Sequence, residues 1–559
     1  MHRKTRRLLS VAEVGFAVMS LVAGGRAASA ADVTVDLGAA KQLIRGFGAS
    51  SAWCGTVSTS VMDSLYKDLG YSILRVRIEE GIGDGWSSGS YSAWAPELAN
   101  AQNAIARGAI AFASPWNPPA SMKSGGKLIT SKYGDYANYL KAYAKYFADN
   151  GAPLYAISIQ NEPDYAATWT AWTATDLLNF LTAQGATLSS AIKIIMPESF
   201  QFIHAMSDPS LNDATVAPYI SIIGGHLYGG KIQDYPLAQT QGKELWETEH
   251  YFDDDQITNI MTMAKEVHDC MATASMNAYV YWWITYGNGL ATSSGTIFKR
   301  AYVLGQFAKY IRPGYFRVDA TANPVTNVNV SAYKGDNKVV IVAVNTGTTS
   351  VDQNFVLRSG TASQLSSWQT TANSNMAAGQ SYQASGGSFT AALPGQSITT
   401  FVGALSGSSG FDGGASVSDA GTGGAAGDAG ASASGGGPGS GGRSGAGGMS
   451  GVGGAIGGGM GGSLNAGGTV GPSGSGGGSG GGASGSGGTT TANTNGAGAG
   501  GRGGSANGGS TTTAGSSSGC GCALAGRDAR ADAHSLGHGI GVLFVLWGLA
   551  LIRRRGSPR

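Results

Sequence analysis

One repeating unit of the fold lies in residues 133–160, where Tyr133-Gly-Asp-Tyr-Ala-Asn-Tyr-Leu-Lys-Ala-Tyr-Ala-Lys-Tyr-Phe-Ala-Asp149 precedes Tyr155-Ala-Ile-Ser-Ile-Gln160. The first stretch has apolar residues at helical spacing. The second is a short apolar run that ends before polar residues, so the pair predicts a helix followed by a strand. This unit is the pattern from which the rest of the chain can be interpreted.

Comparable apolar runs occur on both sides of this unit. They are Gly46–Ala52, Ile73–Ile78, Ala109–Ala113, Lys193–Met196, Ile220–His226, Leu245–Thr248 and Ala278–Thr285. Helical patterns separate them, with further clear examples at Thr175–Ser189, Asp255–Met271 and Lys299–Ile311. Eight alternating strand and helix units predict an α/β fold, a (β/α)8 TIM barrel over residues 46–312.

A change of period follows the barrel. After Pro313-Gly314, apolar and polar residues alternate in Val328–Ala332, Lys338–Val344 and Ser397–Val402. This period of two predicts an antiparallel β-sandwich side domain over residues 313–405. The strand in residues 31–45 precedes the barrel and has no barrel partner, so we expect it to join the side domain.

The two ends of the chain have the composition of targeting segments. Residues 1–30 have a basic start, an apolar run and Ala28-Ser29-Ala30, the order of a secretory signal peptide. Residues 406–519 are a Gly/Ser-rich stretch that is expected to be a disordered stalk, since it has too few apolar residues for a core. In residues 520–559, Cys520 and Cys522 precede a short apolar run and Arg553-Arg-Arg555.

This last segment resembles the Cys-containing sorting tail of myxobacterial surface proteins. The resemblance implies processing or anchoring at Cys520 or Cys522, and display at the cell surface or release outside the cell. A plain membrane anchor, with residues 539–552 as a short hydrophobic helix, is the alternative. We expect this tail to attach the protein to a membrane or the cell surface, and we expect the protein to be a monomer.

Composition excludes several classes of function. The chain has 559 residues and a formal net charge of +2. Residues 31–405 contain 23 Lys and Arg against 28 Asp and Glu, a balance of −5, so the globular part has no basic footprint for nucleic acid. No Cys/His spacing indicates zinc, and we expect Cys54 and Cys270 to be buried thiols.

Two glutamates stand where a (β/α)8 barrel places its active site, after the C-terminal ends of strands. Glu162 follows the fourth strand in Gln160-Asn161-Glu162-Pro163, and Glu249 ends the seventh. A pair of carboxylates on one barrel face suits glycosidic hydrolysis, with Glu162 as acid/base and Glu249 as nucleophile. Alternation along a strand puts Glu247 on the same face as Glu249, so periodicity alone leaves both open.

Aromatic residues at the strand ends are candidates for stacking on sugar rings. The substrate-binding candidates are Trp53, Trp116, Asn161, Tyr165, Tyr228, Trp282 and Trp283. Neighbours on a strand point in opposite directions, so one of the two strand-8 tryptophans is expected in the core. Arg75, in the second strand, is a candidate for holding the nucleophile ionised, with a structural ion pair as the alternative.

Long runs of the chain resemble the bacterial xylanase subfamily of glycoside hydrolase family 30. They are Gly46–Gly48, Ser72–Val76, Phe112–Pro119, Leu154–Tyr165, Pro197–Gln201, His226–Gly229, Leu245–Glu249, Arg312–Tyr315 and Ser331–Val342. The resemblance covers about residues 32–403 and places the acid/base on Glu162 and the nucleophile on Glu249. It implies retaining endo-hydrolysis of β-1,4-xylan without a cofactor or a metal.

One departure from the resemblance concerns branches on the substrate. Glucuronoxylan-specific members carry an arginine in the loop after strand 8, whereas Trp283–Gly289 here contains no basic residue. We expect Asp253, Asp254 and Asp255, in the loop after Glu249, to lie near the cleft and to repel a glucuronate. We therefore expect an endoxylanase that does not need the branch. The alternatives are a glucuronoxylan-specific xylanase, a family 30 β-glycosidase of other specificity, and a non-catalytic carbohydrate-binding surface protein.

Overall fold

The structure is a computed structural model, and it describes residues 30–165 and 169–406. The predicted signal peptide, the Gly-rich stalk and the tail with Cys520 and Cys522 lie outside these residues. Among the helices of the described ranges, none is both long and apolar enough to cross a membrane.

The strands, in chain order, are β1 (Val33–Leu43), β2 (Gly46–Ser50), β3 (Ile73–Ile78), β4 (Ile110–Pro115), β5 (Lys123–Ser124), β6 (Lys127–Leu128), β7 (Ala156–Ser158), β8 (Lys193–Ser199), β9 (Ile220–His226), β10 (Glu244–His250), β11 (Ala278–Trp283), β12 (Phe316–Ala320), β13 (Val328–Gly335), β14 (Lys338–Asn345), β15 (Val351–Arg358), β16 (Gln364–Thr371), β17 (Ser374–Ala378), β18 (Tyr382–Gln383), β19 (Ser388–Leu393) and β20 (Ser397–Ala404).

The α-helices are α1 (Thr59–Met62), α2 (Ala95–Ile105), α3 (Tyr133–Asp149), α4 (Ala174–Ser189), α5 (Asp208–Asn212), α6 (Pro236–Thr240), α7 (Ile257–Ala272) and α8 (Lys299–Ala308). A π-helical segment, Asp63–Asp68, continues α1. Short 3-10 segments are Glu80–Ser88, Ser92–Trp94, Ala120–Met122, Thr130–Lys132, His204–Met206 and Ala217–Tyr219.

Strands β2, β3, β4, β7, β8, β9, β10 and β11 form a closed parallel barrel, in which β11 pairs with β2. The predicted (β/α)8 fold is therefore confirmed. Its interior is filled by alternate residues of the strands, as the pleat of a strand requires. These residues are Ile73, Phe112, Ala156, Ile195, Ile222, Trp246, Ala278 and Val280.

The outer layer follows from the helical spacing seen in the sequence. On α3, Tyr136, Tyr139, Tyr143 and Phe147 recur every three or four residues, and all four are fully buried. The units are not equal in size, however. Between β8 and β9 the connection holds only α5 and short 3-10 segments, and between β9 and β10 it holds the five-residue α6. The open end of the barrel above these strands carries the candidate site.

A second sheet packs against the barrel, with the order β17-β16-β20-β14-β13-β12-β1-β15-β19 and with β18 beside β16. It is one continuous sheet that curls over its own core, where Phe389 of β19 meets Phe401 of β20 at 5.4 Å between ring centroids. The pairing is antiparallel except between β1 and β15. Strand β1 thus belongs to this sheet, pairing also with β12.

Candidate active site

Glu162 lies just after the C-terminal end of β7, at the mouth of the barrel. Its backbone φ of 47° is in the left-handed region, which non-glycine residues rarely adopt. The carboxylate accepts a hydrogen bond from Trp169 Nε1 at 2.9 Å and lies 3.0 Å from His226 Nδ1. Both contacts hold the carboxylate in one orientation, pointing into the open end of the barrel.

Glu249 lies inside β10, near its end, and 4% of its surface is exposed. Arg75 Nη1 donates to its Oε2 at 2.5 Å, and the Tyr228 hydroxyl donates to its Oε1 at 2.9 Å. Burial raises the pKa of Glu249, and the charges of His226 and Arg75 oppose that shift. The Arg75 contact expected from the sequence is therefore present, and it favours the ionised form.

Glu247 is separated from Glu249 by a β-bulge. In the pairing with β9, Glu247 is opposite Gly225 and Glu249 is opposite His226, so Thr248 is the extra residue. The expectation that both glutamates share a face is therefore wrong. Glu247 accepts hydrogen bonds from the backbone N–H groups of Glu249 and Val280, at 2.9 and 3.1 Å. Its role in the structure is to hold the bulge.

Arg75 is fully buried and connects Glu249 to Asn161, the neighbour of Glu162 in the sequence. Its guanidinium donates to Asn161 Oδ1 at 2.6 Å and to Ser114 Oγ at 3.2 Å. The indole rings of Trp116 and Trp282 lie against it, with centroids 4.7 and 5.5 Å from Cζ. Asn161 Nδ2 is buried and has no hydrogen-bond partner among the described residues, so this donor is open.

Two residues of the site were given no role in the sequence analysis, Glu198 and His226. Each lies at the end of a barrel strand, β8 and β9 respectively, and that position is the signal that could have identified them. Burial alone would raise the pKa of Glu198, but the charges of Arg75 and His226 lower it to about 2. Burial alone would lower the pKa of His226, but Glu249, Glu162 and Glu198 raise it to about 10.

The tryptophan candidates form one cluster at the barrel mouth. The rings of Trp53 and Trp116 are 4.9 Å apart in a T-shaped contact, and those of Trp282 and Trp283 are 4.6 Å apart. Trp282 is buried in this cluster and Trp283 is partly buried against it, so one of the two strand-8 tryptophans is packed in a core as expected, but their rings are in contact and do not lie on opposite faces of the strand. The reason is a register shift between Tyr281 and Trp283 in the pairing of β11 with β2.

A second row of aromatic rings begins at Tyr228, which contacts Glu249, on the side of the site away from the tryptophan cluster. Tyr165 stacks on Phe200 at 4.7 Å, and Phe200 stacks on Tyr228 at 5.1 Å. Tyr251 joins Tyr228 to the tryptophan cluster, because it also stacks on Trp283 at 6.2 Å. Phe200 and Tyr251 were not among the sequence candidates. The site thus has aromatic rings on both sides of the carboxylates.

The acidic loop after β10 is engaged in helix capping. Asp255 accepts the backbone N–H groups of Lys299 and Arg300 at 2.7 and 3.3 Å, at the start of α8. Asp254 accepts from the backbone of Gln256 and from Asn259. Asp254 and Asp255 therefore stabilise the starts of α7 and α8. The expectation that they lie near the cleft and act on a glucuronate is wrong for these two residues.

Glu162, His226 and Glu249 also have the donor atoms of a metal site, since one ligand atom from each lies within 4.8 Å of the others. Arg75 already places a positive charge against Glu249. The raised pKa of His226 favours the imidazolium, which cannot bind a metal through nitrogen. Both oxygens of Glu249 already accept hydrogen bonds, from Arg75 and Tyr228, so this carboxylate is engaged within the protein.

A closed (β/α)8 barrel with two carboxylates at its mouth, ringed by aromatic side chains, defines a glycoside hydrolase. Residues 87–299 match the family model "Glycosyl hydrolase family 59", which covers less than half of the chain. Glucuronoxylanase XynC of Bacillus subtilis (strain 168) is 40% identical over an alignment of 427 positions that covers 71% of this chain and 99% of that protein. Solved structures of similar proteins name the family as glycoside hydrolase family 30, and the chain belongs to it.

Two solved structures agree with this assignment. A family 30 endoxylanase from Clostridium papyrosolvens C71 is 62% identical, with a TM-score of 0.65, and covers 67% of this chain and 100% of its own. Xyn30A, a subfamily 8 xylanase of this family from Clostridium acetobutylicum, is 54% identical with the same TM-score, covering 67% and 99%. Both alignments cover nearly the full length of the related structures, whereas the family 59 model matches only residues 87–299 of this chain.

Proposed function

We propose that this protein is a retaining endo-β-1,4-xylanase that hydrolyses internal bonds of plant xylan by double displacement. The observation that carries the proposal is the spacing of the two carboxylates, because an oxygen of Glu162 lies within 4.8 Å of one of Glu249. Retaining glycosidases separate their carboxyl groups by about 5–5.5 Å and inverting ones by about 6.5–9.5 Å. The shorter spacing leaves no room for a water between nucleophile and sugar.

In the first displacement, protonated Glu162 gives its proton to the glycosidic oxygen while Glu249 attacks the anomeric carbon. The bond between that carbon and the leaving oxygen breaks, and an ester to Glu249 forms. Arg75 and Tyr228 hold Glu249 in the attacking position through their hydrogen bonds. The open Nδ2 donor of Asn161 is placed to bind the sugar 2-hydroxyl, where hydrogen bonds strengthen in the transition state.

In the second displacement, ionised Glu162 takes a proton from a water molecule. The resulting hydroxide attacks the anomeric carbon, and the ester to Glu249 breaks, so the carbon regains its original configuration. Glu162 is then protonated and Glu249 ionised, as at the start. His226 Nδ1 and Trp169 Nε1 keep Glu162 aimed at the same point during both steps.

Xylan as substrate is supported by the names of the relatives, which are a glucuronoxylanase and two xylanases. The aromatic rings on both sides of the carboxylates suit an endo-acting enzyme, since several sugar units can stack across the site. The proposal also includes export by the signal peptide and attachment at the cell surface by the tail, and it involves no cofactor.

Independence from the glucuronate branch is a further part of the proposal. Residues 284–298, which follow β11, contain no lysine or arginine. The next cations along the chain have structural partners, since Lys299 donates to Thr371 O and Ser374 O, and Arg300 donates to Gly289 O. A glucuronate group would find no guanidinium on this loop. The glucuronoxylanase name of the 40% identical relative favours the alternative, a branch-dependent enzyme.

The division of roles can be tested with Glu162→Ala and Glu249→Ala. Each substitution should lower kcat on xylan by at least about 10³-fold, because each removes a group that acts on the reacting bond. Azide should restore activity to the Glu249 variant with inversion of the product, and it should give Glu162→Ala a β-xylosyl azide from activated substrates. Residual hydrolysis near the wild-type rate in either variant would overturn the assignment.

Branch preference can be tested by product analysis on three polymers: glucuronoxylan, arabinoxylan and unbranched β-1,4-xylan. We expect kcat/KM values within about tenfold of each other, since no cation on the β11 loop contributes binding energy to one branch. Products with a glucuronate at one fixed position, and no hydrolysis of unbranched xylan, would support the branch-dependent alternative. Mass spectrometry of the oligosaccharides distinguishes the two outcomes.

A further inference from the structure

Glu198 is a third carboxylate in the barrel mouth, and it is fully buried. Its Oε1 lies 3.1 Å from Arg75 Nη2 and 3.8 Å from His226 Nε2. His226 Nε2 is in turn 3.9 Å from Glu249 Oε2, while His226 Nδ1 faces Glu162 at 3.0 Å. The imidazole ring of His226 therefore lies among three carboxylates. Glu162 is at its Nδ1, and Glu198 and Glu249 are both near its Nε2.

The described contacts of Glu198 are mainly ion pairs, with Arg75 and His226. Neither carboxylate oxygen has a hydrogen-bond partner of good geometry among the described residues, and His226 Nε2 has none either. A buried carboxylate without hydrogen bonds is costly unless opposite charges compensate it. The main compensation comes from two cations, the guanidinium of Arg75 and the imidazolium of His226, and the Ser158 hydroxyl also lowers the pKa of Glu198.

The net charge of the buried cluster is the same in both halves of the proposed catalytic cycle. Before attack, Glu162 is protonated, so the anions are Glu249 and Glu198 and the cations are Arg75 and His226. In the glycosyl-enzyme, Glu249 is a neutral ester and Glu162 is ionised, so the anions are Glu162 and Glu198. The buried cluster is neutral in both states, which avoids the high cost of an unpaired buried charge.

We propose that Glu198 is a positioning residue, the permanent buried anion that keeps His226 doubly protonated as the hydrogen-bond donor to Glu162. The mechanistic part of this inference rests on the proposed function. An imidazole that lost its Nδ1 proton would accept a hydrogen bond from protonated Glu162, and the acid proton would then be held away from the glycosidic oxygen. Glu198 prevents this by stabilising the imidazolium.

Other groups that face His226 do not replace Glu198. The Tyr228 ring is 6.0 Å from the imidazole, and its hydroxyl is neutral because burial raises its pKa. Glu247 lies on the far side of the bulge in β10, where burial and the charge of Glu266 raise its pKa, so it contributes little negative charge. Glu162 and Glu249 change charge during the proposed cycle. Among the described residues of this cluster, Glu198 is the carboxylate that stays ionised throughout.

The first test is an NMR titration of ¹⁵N-histidine-labelled protein, with the His226 signals assigned by His226→Gln. In the wild-type protein both ring nitrogens should remain protonated from pH 5 to pH 8. In Glu198→Gln the imidazole should lose a proton within this range. Glu266→Gln is the matched control, because Glu266 pairs with His250 at 2.7 Å outside the cluster and should leave the His226 titration unchanged.

Two NMR results would overturn the inference. One is a wild-type His226 that titrates below pH 8, and this result needs no variant. The other is a Glu198→Gln protein whose His226 stays doubly protonated throughout the range. Neither measurement involves substrate, so an enzyme that fails to hydrolyse xylan would contradict the proposed function and leave this test intact.

The second test is kinetic. Glu198→Gln should lower kcat by about 10- to 100-fold with KM changed less than about threefold, since Glu198 acts on the acid rather than on bound sugar. It should also add an ionisation to the pH profile of kcat between pH 5 and 8. Glu198→Asp keeps the charge and should recover at least part of kcat and the wild-type profile. Equal kcat values and pH profiles in all three proteins would contradict the role.

Discussion

Three residues at the barrel mouth adopt left-handed backbone conformations that are unfavourable for side chains with a Cβ. They are Trp53 (φ 59°), Glu162 (φ 47°) and Glu198 (φ 55°). Such conformations cost on the order of 1–3 kcal/mol each and persist only where surrounding structure enforces them. All three follow or end barrel strands, so the strain is located where side chains are turned into the site.

A prediction at the residue scale concerns the hydroxyl of Tyr228, which donates to Glu249 at 2.9 Å. Hydrogen bonds to charged groups contribute about 1.5–3 kcal/mol, so Tyr228→Phe should lower kcat/KM on xylan by roughly 10- to 100-fold. Steady-state kinetics measure the effect, and thermal unfolding checks that the variant is folded.

The matched control is Tyr235→Phe, because the Tyr235 hydroxyl also donates to a carboxylate, Asp208, at 2.5 Å. It lies away from the reacting residues and should lower stability without changing kcat/KM. A Tyr228→Phe enzyme with wild-type kinetics would mean that the hydroxyl is not needed to position Glu249.

At the scale of elements, the strands were predictable and their ends were not. Apolar runs identified every barrel strand, and Ile73–Ile78 and Ile220–His226 have the predicted bounds. The rule of alternating faces failed at Glu247 and at Trp282, where register shifts interrupt the pairing of β10 and β11. A bulge depends on the neighbouring strand, so a period within one strand cannot reveal it.

The candidate site was also predictable only in part, because position along a strand can be inferred from the sequence and contacts between strands cannot. Position at a strand end favoured Glu162 and Glu249, the family resemblance decided between Glu249 and Glu247, and the structure places Glu162 and Glu249 together. His226 and Glu198 have equivalent positions, but their importance comes from contacts with each other and with Arg75 across the barrel. Such contacts between three different strands have no signal in the local sequence.

A prediction at the element scale concerns Glu97, which connects helix α2 to the end of β2 by accepting a hydrogen bond from Ser51 Oγ. Burial raises the pKa of Glu97 to about 7, against hydrogen bonds from Ser51 and Asn100 that lower it. Between pH 4.5 and 7 the folded protein therefore binds a proton that the unfolded chain has lost, and stability decreases as pH rises through this range.

The loss should be on the order of 3 kcal/mol, at 1.36 kcal/mol per pKa unit. Glu97→Gln is neutral at every pH, so the difference in free energy of unfolding between variant and wild type should shift in favour of the variant by this amount from pH 4.5 to pH 8. Urea unfolding at the two pH values measures it. A difference that does not vary with pH would show that Glu97 titrates normally.

At the scale of the whole molecule, Gln306 joins the barrel to the second sheet. It lies in α8 and is fully buried. Its Nε2 donates to Thr370 Oγ1 of β16 at 2.9 Å, and its Oε1 accepts from Thr400 Oγ1 of β20 at 2.7 Å. One side chain thus satisfies two buried hydroxyls of the sheet, which predicts that barrel and sheet unfold together.

Gln306→Leu should lower the free energy of unfolding by about 2 kcal/mol, because two buried hydroxyls, of Thr370 and Thr400, lose their hydrogen bonds to the Gln306 side chain. Calorimetry should show one transition at a lower temperature, with kcat at 25 °C unchanged. Gln102→Leu is the control, since Gln102 donates to Asn150 O on the exposed surface of the barrel and should change stability little. Two separated transitions in the wild-type protein would contradict the coupling.

The place of β1 in the second sheet has a consequence for the order of folding. Thr34, in the first strand of the described chain, donates to Thr321, 287 residues further on. A ribosome therefore releases β1 long before its partners β12 and β15 exist, and closing so long a loop is entropically expensive. The barrel can assemble from neighbouring strands in sequence, whereas the sheet has to wait for nearly the last of the globular chain. We expect β1 to be the last strand to gain protection from hydrogen exchange during refolding.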